Sequence, residues 1–493
     1  MTATALAEAE QEKTTLNAKA RSGSIWIVGA FGASQVLRLG LNIALAALLF
    51  EEAFALMAIV TAVMIGLSMF SDIGLQQNVV QSPRGDDPAF LNTAWTMQVI
   101  RGIGLTFVAA VLAWPLATFY GANDPSALEL RWLVPLVALT AAIDGLRSPG
   151  ALSAARHMQV ARLTRIEVIV QICNAGITLV LVWFTRSVYG IALAGVLSSM
   201  LYMALTYWVL PGPRPRFMLE SDAMRAIISF GKWIFLATLL SFMAMQIDRL
   251  AFAAMYPLAE VGVYSIAMSL AMVVTALIGR LQIAIMFPWY ARMLESGMAL
   301  EQAYYKAKMP MLIMSTYFVT LLIVGAGSFF ELAYDERYAQ AAVFLPILSI
   351  GIWFSSIGGM YGAAFLAAGH SKWIALVSAV KVGSFALLLV VLSSTDGTLA
   401  MATGAVLVSE LATFAMSRYL GWRLGLRSLR PETTMLIMLA VCSAAGVSLV
   451  QRFGPVAGLH PATQLLVLGA LTTLAFAPFF FKLVYPLLRQ RDI

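Results

Sequence analysis

The feature that most constrains this chain is a series of apolar segments, each about as long as a bilayer is thick. A helix needs about 20 apolar residues to cross a membrane, and about fourteen such segments fill the sequence. Of the 493 residues, 60% are hydrophobic and only 12% are charged, whereas about a quarter of the residues in a soluble protein are charged. The sequence therefore predicts an all-α, polytopic membrane protein with about 14 transmembrane helices.

The basic residues outside these segments indicate the orientation. If the N-terminus is cytoplasmic, the outside connections contain only Arg131, Arg186, Arg337 and Arg452, and the other connecting segments hold most of the 32 Lys and Arg residues. This asymmetry predicts a multi-pass protein of the cell inner (plasma) membrane with both termini cytoplasmic. Because topology explains most of the net charge of +7, no nucleic-acid partner is expected.

A weak internal repeat indicates a duplicated frame. Residues 22–27 align with residues 229–234, and the same offset continues without a gap to Gln81, pairing Phe54 with Val261. The repeat period is about six spans, so both copies have the same orientation. This predicts two six-helix lobes related by pseudo-two-fold symmetry, plus two extra C-terminal helices.

The expected domains follow from this repeat. They are a cytoplasmic N-terminal tail (1–22), an N-lobe of spans 1–6 (23–210), a cytoplasmic linker (211–226), a C-lobe of spans 7–12 (227–423), and spans 13–14 with a cytoplasmic C-terminus (424–493). The tail is polar and lacks the apolar core of a signal peptide. The linker begins with alternating Pro, Gly and Arg residues. The fourth span is expected at 130–155 and the ninth at 309–333.

No motif for catalysis or metal binding is present. Cys173 and Cys442 lie in apolar segments, where a small buried side chain is the simplest interpretation. The three histidines are isolated, and the sequence contains neither a phosphate-binding loop nor a nucleophile elbow. We therefore expect no catalytic residue, no metal, no cofactor and no enzymatic activity.

Polar residues within the first and third spans are candidate site residues. Arg38 lies near the middle of the first span, where an arginine is costly unless it faces protein or water. Gln35 and Asn42 share its helix face at spacings i, i+3 and i+7. We expect this face to line a substrate-binding cavity. Arg101 is expected to line the same cavity, from a weaker polar face on the third span that also contains Thr93 and either Thr96 or Gln98.

The second half of the chain adds further candidates. Arg249 and Lys381 are expected to line the same cavity, and Asp248, Arg280 and Glu410 are expected to form ion pairs or to couple transport to an ion. Packing alone also explains Asp248 with Arg249, which are adjacent, and Lys381 with Glu410, which lie in consecutive spans. Both the structural and the ligand-binding roles stay open for each residue.

A cationic cavity at mid-membrane suits an anionic solute or headgroup. A guanidinium group binds phosphate through two parallel hydrogen bonds and keeps its charge at working pH. An exporter of cationic drugs would instead place carboxylates at the centre. The first three spans contain no carboxylate near their middle. This pattern favours an anionic cargo.

Several short motifs, taken in order, resemble those of a known family. They are Phe70-Ser-Asp-Ile-Gly-Leu-Gln-Gln-Asn-Val-Val-Gln81, Phe90-Leu-Asn-Thr-Ala-Trp95, Ile247-Asp-Arg-Leu250, Val261-Gly-Val-Tyr-Ser-Ile-Ala267, Met286-Phe-Pro288, and Leu348-Ser-Ile through Ala367-Ala-Gly-His370. From about residue 20 to residue 485, the chain resembles the polysaccharide-transporter branch of the flippase superfamily that includes multidrug and toxin extruders and lipid II flippases.

The resemblance implies a two-lobed, MATE-like fold that opens alternately to each side. It implies transport of an undecaprenyl-diphosphate-linked oligosaccharide across the inner membrane for exopolysaccharide, capsule or O-antigen biosynthesis. The implied partners are membrane lipid, the lipid-linked glycan, and polysaccharide polymerase or export machinery. Two alternatives stay open: a cation-coupled multidrug or metabolite antiporter of the same fold, and a non-transport membrane scaffold for glycosyltransferases.

Overall fold

A computed structural model provides the coordinates of the chain. It describes residues 32–71, 84–157, 160–210, 215–221, 234–282, 300–395, 397–452 and 458–489, and the single residues Leu75, Val79, Ser82, Gly212, Met224, Met286, Tyr290 and Val456. The expected tail (1–22), the start of the first span and the last residues of the chain lie outside the described residues. So do parts of the motifs at 70–81 and 286–288.

The regular structure of the described residues is helical. The α-helices are α1 (Gly32–Leu48), α2 (Glu51–Phe70), α3 (Pro88–Gly121), α4 (Leu130–Gly145), α5 (Pro149–Arg156), α6 (Val160–Thr185), α7 (Val188–Val209), α8 (Ile234–Met255), α9 (Leu258–Leu281), α10 (Leu300–Ala333), α11 (Ala341–Ala367), α12 (Ser371–Ser393), α13 (Leu399–Arg423), α14 (Arg430–Arg452) and α15 (Pro461–Arg489). Short 3₁₀ turns precede α4 and α11.

The hydropathy of these helices makes the chain a multi-pass membrane protein. Over the described residues, 12 helices are long and apolar enough to cross a membrane. The described parts of α1 and α8 begin at Gly32 and Ile234, inside the expected first and seventh spans. The all-α, polytopic fold is thus confirmed, and the helices are consistent with about 14 spans.

Two expected boundaries are wrong. The single span expected at 130–155 forms two helices, because α4 ends at Gly145 and α5 begins at Pro149. Proline lacks an N–H and disfavours helical geometry in the residue before it, so one helix does not continue through this point. The ninth span begins at Leu300 instead of 309, because its polar first turns are helical as well.

Of the described residues, the first compact unit contains those up to Leu49, then those within Val63–Gly121 and Ala127–Phe235. Within it, α3 packs against α4, and α7 packs against both α4 and α6. The backbones of α3 and α4 approach closely where small residues face each other. A Cβ added at Gly145 would lie 2.9 Å from the carbonyl oxygen of Gln98, so glycine is required at this crossing.

The second compact unit contains Phe50–Ala62, Ala122–Ser126 and the chain from Leu236 onward. Its centre is α11, around which α9, α10 and α13 pack. The last two helices, α14 and α15, pack against α10. The hydroxyl of Ser328 on α10 donates a hydrogen bond of 2.6 Å to Gln464 on α15, and both side chains are buried.

Helix boundaries agree with the sequence repeat. The alignment that pairs Phe54 with Val261 also pairs Glu51 with Leu258, and these are the first residues of α2 and α9. The lobes and domain boundaries expected from the repeat stay predictions.

Candidate functional site

A cavity of about 210 Å³ lies beside Arg38 in the first unit. Its walls come from two helices. The lining residues are Leu37, Arg38 and Leu41 of α1, and Gln171, Asn174 and Ala175 of α6. One cationic and two amide side chains thus share a cavity with apolar walls.

Hydrogen bonds hold the amide side chains of this cavity in place. The Ser34 hydroxyl donates to Oε1 of Gln171 over 2.6 Å, and Nε2 of Gln171 donates to the Ser34 carbonyl oxygen over 3.3 Å. The Ser198 hydroxyl, on α7, donates to Oδ1 of Asn174 over 2.7 Å. The amide groups are therefore oriented by α1 and α7 before any ligand is bound.

The Arg38 side chain is exposed and, within the described part of the chain, makes no hydrogen bond or ion pair. A guanidinium group has five N–H donors in a planar fork and is always charged. Arg38 is therefore available to bind an anion in the cavity.

The two residues expected beside Arg38 have other surroundings. Gln35 and Asn42 are half-buried and are not among the cavity's lining residues. The Oε1 of Gln35 is buried and has no hydrogen-bond partner among the described residues, whereas Asn42 does have a partner. Of the stripe expected on α1, Arg38 is the residue that lines the cavity.

Arg101 contacts the end of a neighbouring helix. Its Nε donates to the Ser71 hydroxyl over 2.9 Å, and its Nη2 donates to the Ser68 carbonyl oxygen over 2.7 Å. Carbonyl groups in the last turn of a helix lack an intrahelical partner and carry partial negative charge. The described contacts therefore give Arg101 the role of capping the C-terminus of α2.

The polar face at the start of α3 binds the linker of the first unit. The backbone N–H of Arg216 donates to Oδ1 of Asn92 over 3.0 Å. The N–H of Met218 donates to the Thr96 hydroxyl over 3.0 Å, and the N–H of Glu220 donates to the Thr93 hydroxyl over 3.2 Å. These threonines were expected to contribute to a cavity-lining face, but both are buried beneath residues 215–220. Alternate backbone amides of this non-helical segment therefore bind α3.

An ion pair strengthens the same linker contact. Arg84 donates to Glu220 over 2.9 Å and to Asp87 over 2.6 Å. The hydrogen bond from Arg84, together with one from the backbone N–H of Ala89, lowers the pKa of Asp87 below its usual value. All three charged groups lie outside the helices expected to cross the membrane.

In the second unit, Asp248 and Arg249 both contact α9. The Tyr264 hydroxyl donates to Oδ2 of Asp248 over 2.5 Å. Arg249 donates to Oε1 of Gln246 over 3.4 Å and to Sδ of Met272 over 3.7 Å, and its buried Nε has no hydrogen-bond partner among the described residues. These neighbouring charges therefore connect α8 to α9.

Lys381 and Glu410 form an ion pair between α12 and α13. The distance from Nζ of Lys381 to Oε1 of Glu410 is 2.5 Å. The Oε2 of Glu410 is buried without a hydrogen-bond partner in the described residues. Arg280, the remaining candidate, is exposed in the last turn of α9 and has its own interaction.

Asp248, Arg249, Lys381 and Glu410 of the second unit have charges that balance one another. Asp248, Arg249 and Glu410 lie near enough to interact electrostatically with the Tyr264 hydroxyl. Lys381 forms an ion pair with Glu410. Two acidic and two basic groups give this cluster no net charge. Arg38, in contrast, has no acid among the lining residues of its cavity.

Two cavity residues were missed from the sequence, Gln171 and Asn174. Their signal is a polar stripe on α6, where Glu167, Gln171, Asn174 and Thr178 are spaced i, i+4, i+7 and i+11 and share a helix face. Glu167 is exposed and does not line the cavity. A test of each span for polar periodicity would have identified this wall.

A buried ion pair was also missed because Lys308 was assigned to a cytoplasmic connection. Lys308 of α10 is fully buried and pairs with Glu432 of α14, which also accepts a hydrogen bond of 2.9 Å from the Tyr361 hydroxyl of α11. Nζ of Lys308 lies 4.9 and 4.8 Å from the ring centroids of Tyr304 and Tyr361. This contact fixes the start of α14 on the second unit.

Sequence comparison identifies a family for most of the chain. Residues 44–343 match the family model described as polysaccharide biosynthesis protein. No curated protein matches the sequence at a significant level.

Comparison of folds identifies two groups of solved transporters. The lipid II flippase MurJ, in an inward closed conformation, is similar with a TM-score of 0.69 and 12% identity, over 92% of this chain and 98% of that chain. An inward-facing multidrug resistance MATE family transporter of the MOP superfamily is similar with a TM-score of 0.63 and 16% identity, over 80% and 96% of the two chains. At these identities the likeness establishes a shared fold.

Proposed function

This chain belongs to the polysaccharide biosynthesis protein family, and on that basis we propose that it is a flippase for a lipid-linked oligosaccharide. In this proposal the cargo is an undecaprenyl-diphosphate-linked oligosaccharide, which crosses the inner membrane during exopolysaccharide, capsule or O-antigen biosynthesis. Both termini are cytoplasmic, and the partners are membrane lipid, the glycan, and polysaccharide polymerase or export machinery. The protein moves its cargo without catalysing a covalent step.

The observation that carries this proposal is Arg38 in its cavity. An arginine within an apolar segment costs about 2.5–3.5 kcal/mol at the bilayer centre, so its presence there indicates a use. Here the guanidinium lines a cavity and makes no hydrogen bond or ion pair with the described residues. A diphosphate supplies the charge and the acceptor geometry that a guanidinium fork binds through paired hydrogen bonds.

The amide side chains of the cavity suit the other part of the cargo. A sugar hydroxyl that leaves water without a new hydrogen bond loses a few kcal/mol. Gln171 and Asn174 line the same cavity as Arg38, and amides both donate and accept hydrogen bonds. The cavity therefore offers partners for sugar hydroxyls beside a partner for phosphate, and alternating access carries both across the membrane.

The comparison with known folds supports a lipid-linked cargo. A solved structure that covers 92% of this chain is named lipid II flippase MurJ. A flippase for lipid II can therefore be built on this fold, which supports a lipid-linked cargo for the present chain. The cationic residue of the present cavity agrees with an anionic carrier lipid.

The experiment is complementation of a strain from which the encoding gene is deleted. Arg38→Glu should accumulate the lipid-linked oligosaccharide on the cytoplasmic side at least about tenfold over wild type, because removal of a charged hydrogen bond costs about 1.5–3 kcal/mol. Mass spectrometry of extracted lipids measures the intermediate, and immunoblotting measures protein abundance. Normal polymer export with Arg38→Glu at normal abundance would contradict the assigned role of Arg38.

A matched control separates charge at the cavity from charge elsewhere. Arg131 is exposed at the start of α4 and lies over the ring of Trp132. Arg131→Glu makes the same change in charge and should leave export unaltered. Arg38→Lys keeps the charge but loses the fork and should give intermediate accumulation.

The second candidate function is a cation-coupled multidrug or metabolite antiporter. It is favoured by Glu410, whose buried Oε2 has no hydrogen-bond partner among the described residues. A carboxylate of this kind can hold a proton or a metal cation during transport. Expression in an efflux-deficient host should then raise resistance to cationic dyes, and Glu410→Gln should abolish that resistance. Unchanged resistance across a dye panel, with accumulated lipid-linked sugar in the deletion strain, would reject this alternative.

A further inference from the structure

The turn between α13 and α14 has a defined backbone. The N–H of Leu426 donates to the carbonyl oxygen of Gly421 over 2.9 Å, and the N–H of Gly425 donates to that of Trp422 over 3.1 Å. Gly425 has a φ of 91°, which is the left-handed conformation of a glycine that ends a helix. The sequence therefore closes α13 and redirects the chain within a few residues.

Side chains of the second unit hold this turn from inside. Arg418 donates to the carbonyl oxygens of Leu426 and Arg427, and the Tyr305 hydroxyl donates to that of Ser428 over 2.9 Å. Leu426 is fully buried. The turn is thus fastened to α10 and α13.

The outer surface of the turn presents three arginines. Arg423, Arg427 and Arg430 are exposed. Within the described part of the chain, none of their guanidinium groups forms a hydrogen bond or an ion pair, although that of Arg423 lies 5.9 Å from the ring centroid of Tyr419. We call these three residues the arginine platform. The chain contains no acidic residue between Glu410 and Glu432, and both of these glutamates are already paired with lysines.

The platform lies where two candidate membrane spans end. These spans are Leu399–Arg423 and Arg430–Gln451. Trp422 and Tyr419 are more than half exposed in the last turns of α13, and such aromatic residues favour the headgroup region of a bilayer. We therefore expect the arginines to lie near the depth of lipid phosphates.

We propose that the arginine platform is a binding site for the headgroup of an anionic phospholipid. Exposed arginines at a membrane surface are attracted to anionic lipids, and a guanidinium fork matches the phosphate geometry. The charge asymmetry of the connections explains why arginines occur here, but it requires no rigid turn. A turn whose backbone is held by Arg418 and Tyr305 keeps the platform in place, so that little backbone entropy is lost on binding. The site is independent of the cavity beside Arg38.

The test uses the full chain, purified in detergent and freed of lipid. Native mass spectrometry measures its affinity for phosphatidylglycerol, for phosphatidylcholine with the same acyl chains, and for inorganic phosphate. The variant Arg423→Gln/Arg427→Gln removes two platform charges. The control Arg131→Gln/Arg186→Gln removes two exposed arginines that each lie over an exposed tryptophan, Trp132 and Trp183, in separate turns.

Wild type should bind phosphatidylglycerol in preference to phosphatidylcholine. Because each basic residue near the surface contributes about fivefold, the platform variant should bind phosphatidylglycerol about 25-fold more weakly, whereas the control should bind it like wild type. An equal loss in both variants, or equal binding of the two lipids, would overturn the site. Occupancy by inorganic phosphate alone would overturn the lipid as its ligand. The platform variant keeps Arg38 and its cavity, so failure here and failure of the proposed transport are distinguishable.

Discussion

The hydroxyl of Ser34 on α1 donates a hydrogen bond of 2.6 Å to Oε1 of Gln171 on α6. This bond joins the two helices that form the cavity and places an amide next to Arg38. It connects residues that are far apart in the chain and are held beside each other by the packing of the first unit.

The first prediction concerns this bond. Ser34→Ala should cost about 1 kcal/mol of unfolding free energy and lower transport several-fold, because Gln171 loses one of its two hydrogen bonds to Ser34 and keeps only the one to the backbone carbonyl. The matched control is Ser265→Ala on α9, since the Ser265 hydroxyl only donates to the carbonyl of Val261 in its own helix. Transport in the deletion strain and thermal unfolding in detergent measure the two effects. Equal transport by both variants would show that Gln171 needs no orientation.

The second prediction concerns the ion pair of Lys381 with Glu410. Lys381→Met and Glu410→Gln should each destabilise the protein. Lys381→Met leaves the buried carboxylate of Glu410 without its partner, which should cost about 3–5 kcal/mol of unfolding free energy. The double variant should be more stable than Lys381→Met, because it leaves no such charge. A double-mutant cycle on thermal unfolding measures the coupling. Additive losses would contradict a direct interaction between the two side chains.

The third prediction concerns the linker on α3. Because alternate backbone amides are hydrogen-bonded, hydrogen exchange resolved by residue should be slow at Arg216, Met218 and Glu220 and faster at the residues between them. Thr96→Val removes the acceptor of Met218 and should accelerate exchange at that amide about five- to tenfold. Thr118→Val is the control on the same helix, since Thr118 only donates to carbonyls of α3. Uniform exchange along 215–220 would reject the alternating contact.

The fourth prediction compares two glycines of α9. A Cβ at Gly262 would overlap the backbone carbonyl of Glu51 at the start of α2, whereas nothing lies within 4 Å of a Cβ at Gly279. Gly262→Ala should therefore destabilise the protein by about 1–3 kcal/mol. Gly279→Ala should be neutral, or stabilise it by up to about 1 kcal/mol through helix propensity. Thermal unfolding of the two variants decides, and equal stability would contradict this close approach of α2 to α9.

Hydropathy alone was enough to predict the helices and their approximate bounds. Membrane-length apolar segments have few ways to satisfy their backbone groups other than as helices. Pro149 is a sequence signal for the break between α4 and α5. The residues on both sides are apolar, however, and hydropathy alone therefore predicted one continuous span. The polar start of α10 concealed its true beginning at Leu300, because loops and polar helical turns have similar compositions.

Contacts between distant residues were less accessible from the sequence. Arg101 could be recognised as a cation within an apolar segment, but one of its partners is a carbonyl group in the last turn of α2, and backbone acceptors leave no mark in a sequence. Lys308 and Glu432 belong to segments far apart in the chain, and each resembles an ordinary charge at the end of a span. Arg38 could be recognised as a candidate site residue from the sequence, because no acidic residue lies at i±3 or i±4 in its own helix to pair with it.

The most direct test of the central proposal measures binding of undecaprenyl diphosphate to the purified full chain by native mass spectrometry. Wild type should bind this carrier lipid in preference to undecaprenol, which lacks the diphosphate. Arg38→Ala should weaken the binding by about tenfold or more, because it removes a charge-assisted hydrogen bond worth about 1.5–3 kcal/mol, while Arg131→Ala should leave it unchanged. Equal affinity of wild type and Arg38→Ala for undecaprenyl diphosphate would contradict the proposal that Arg38 binds the cargo.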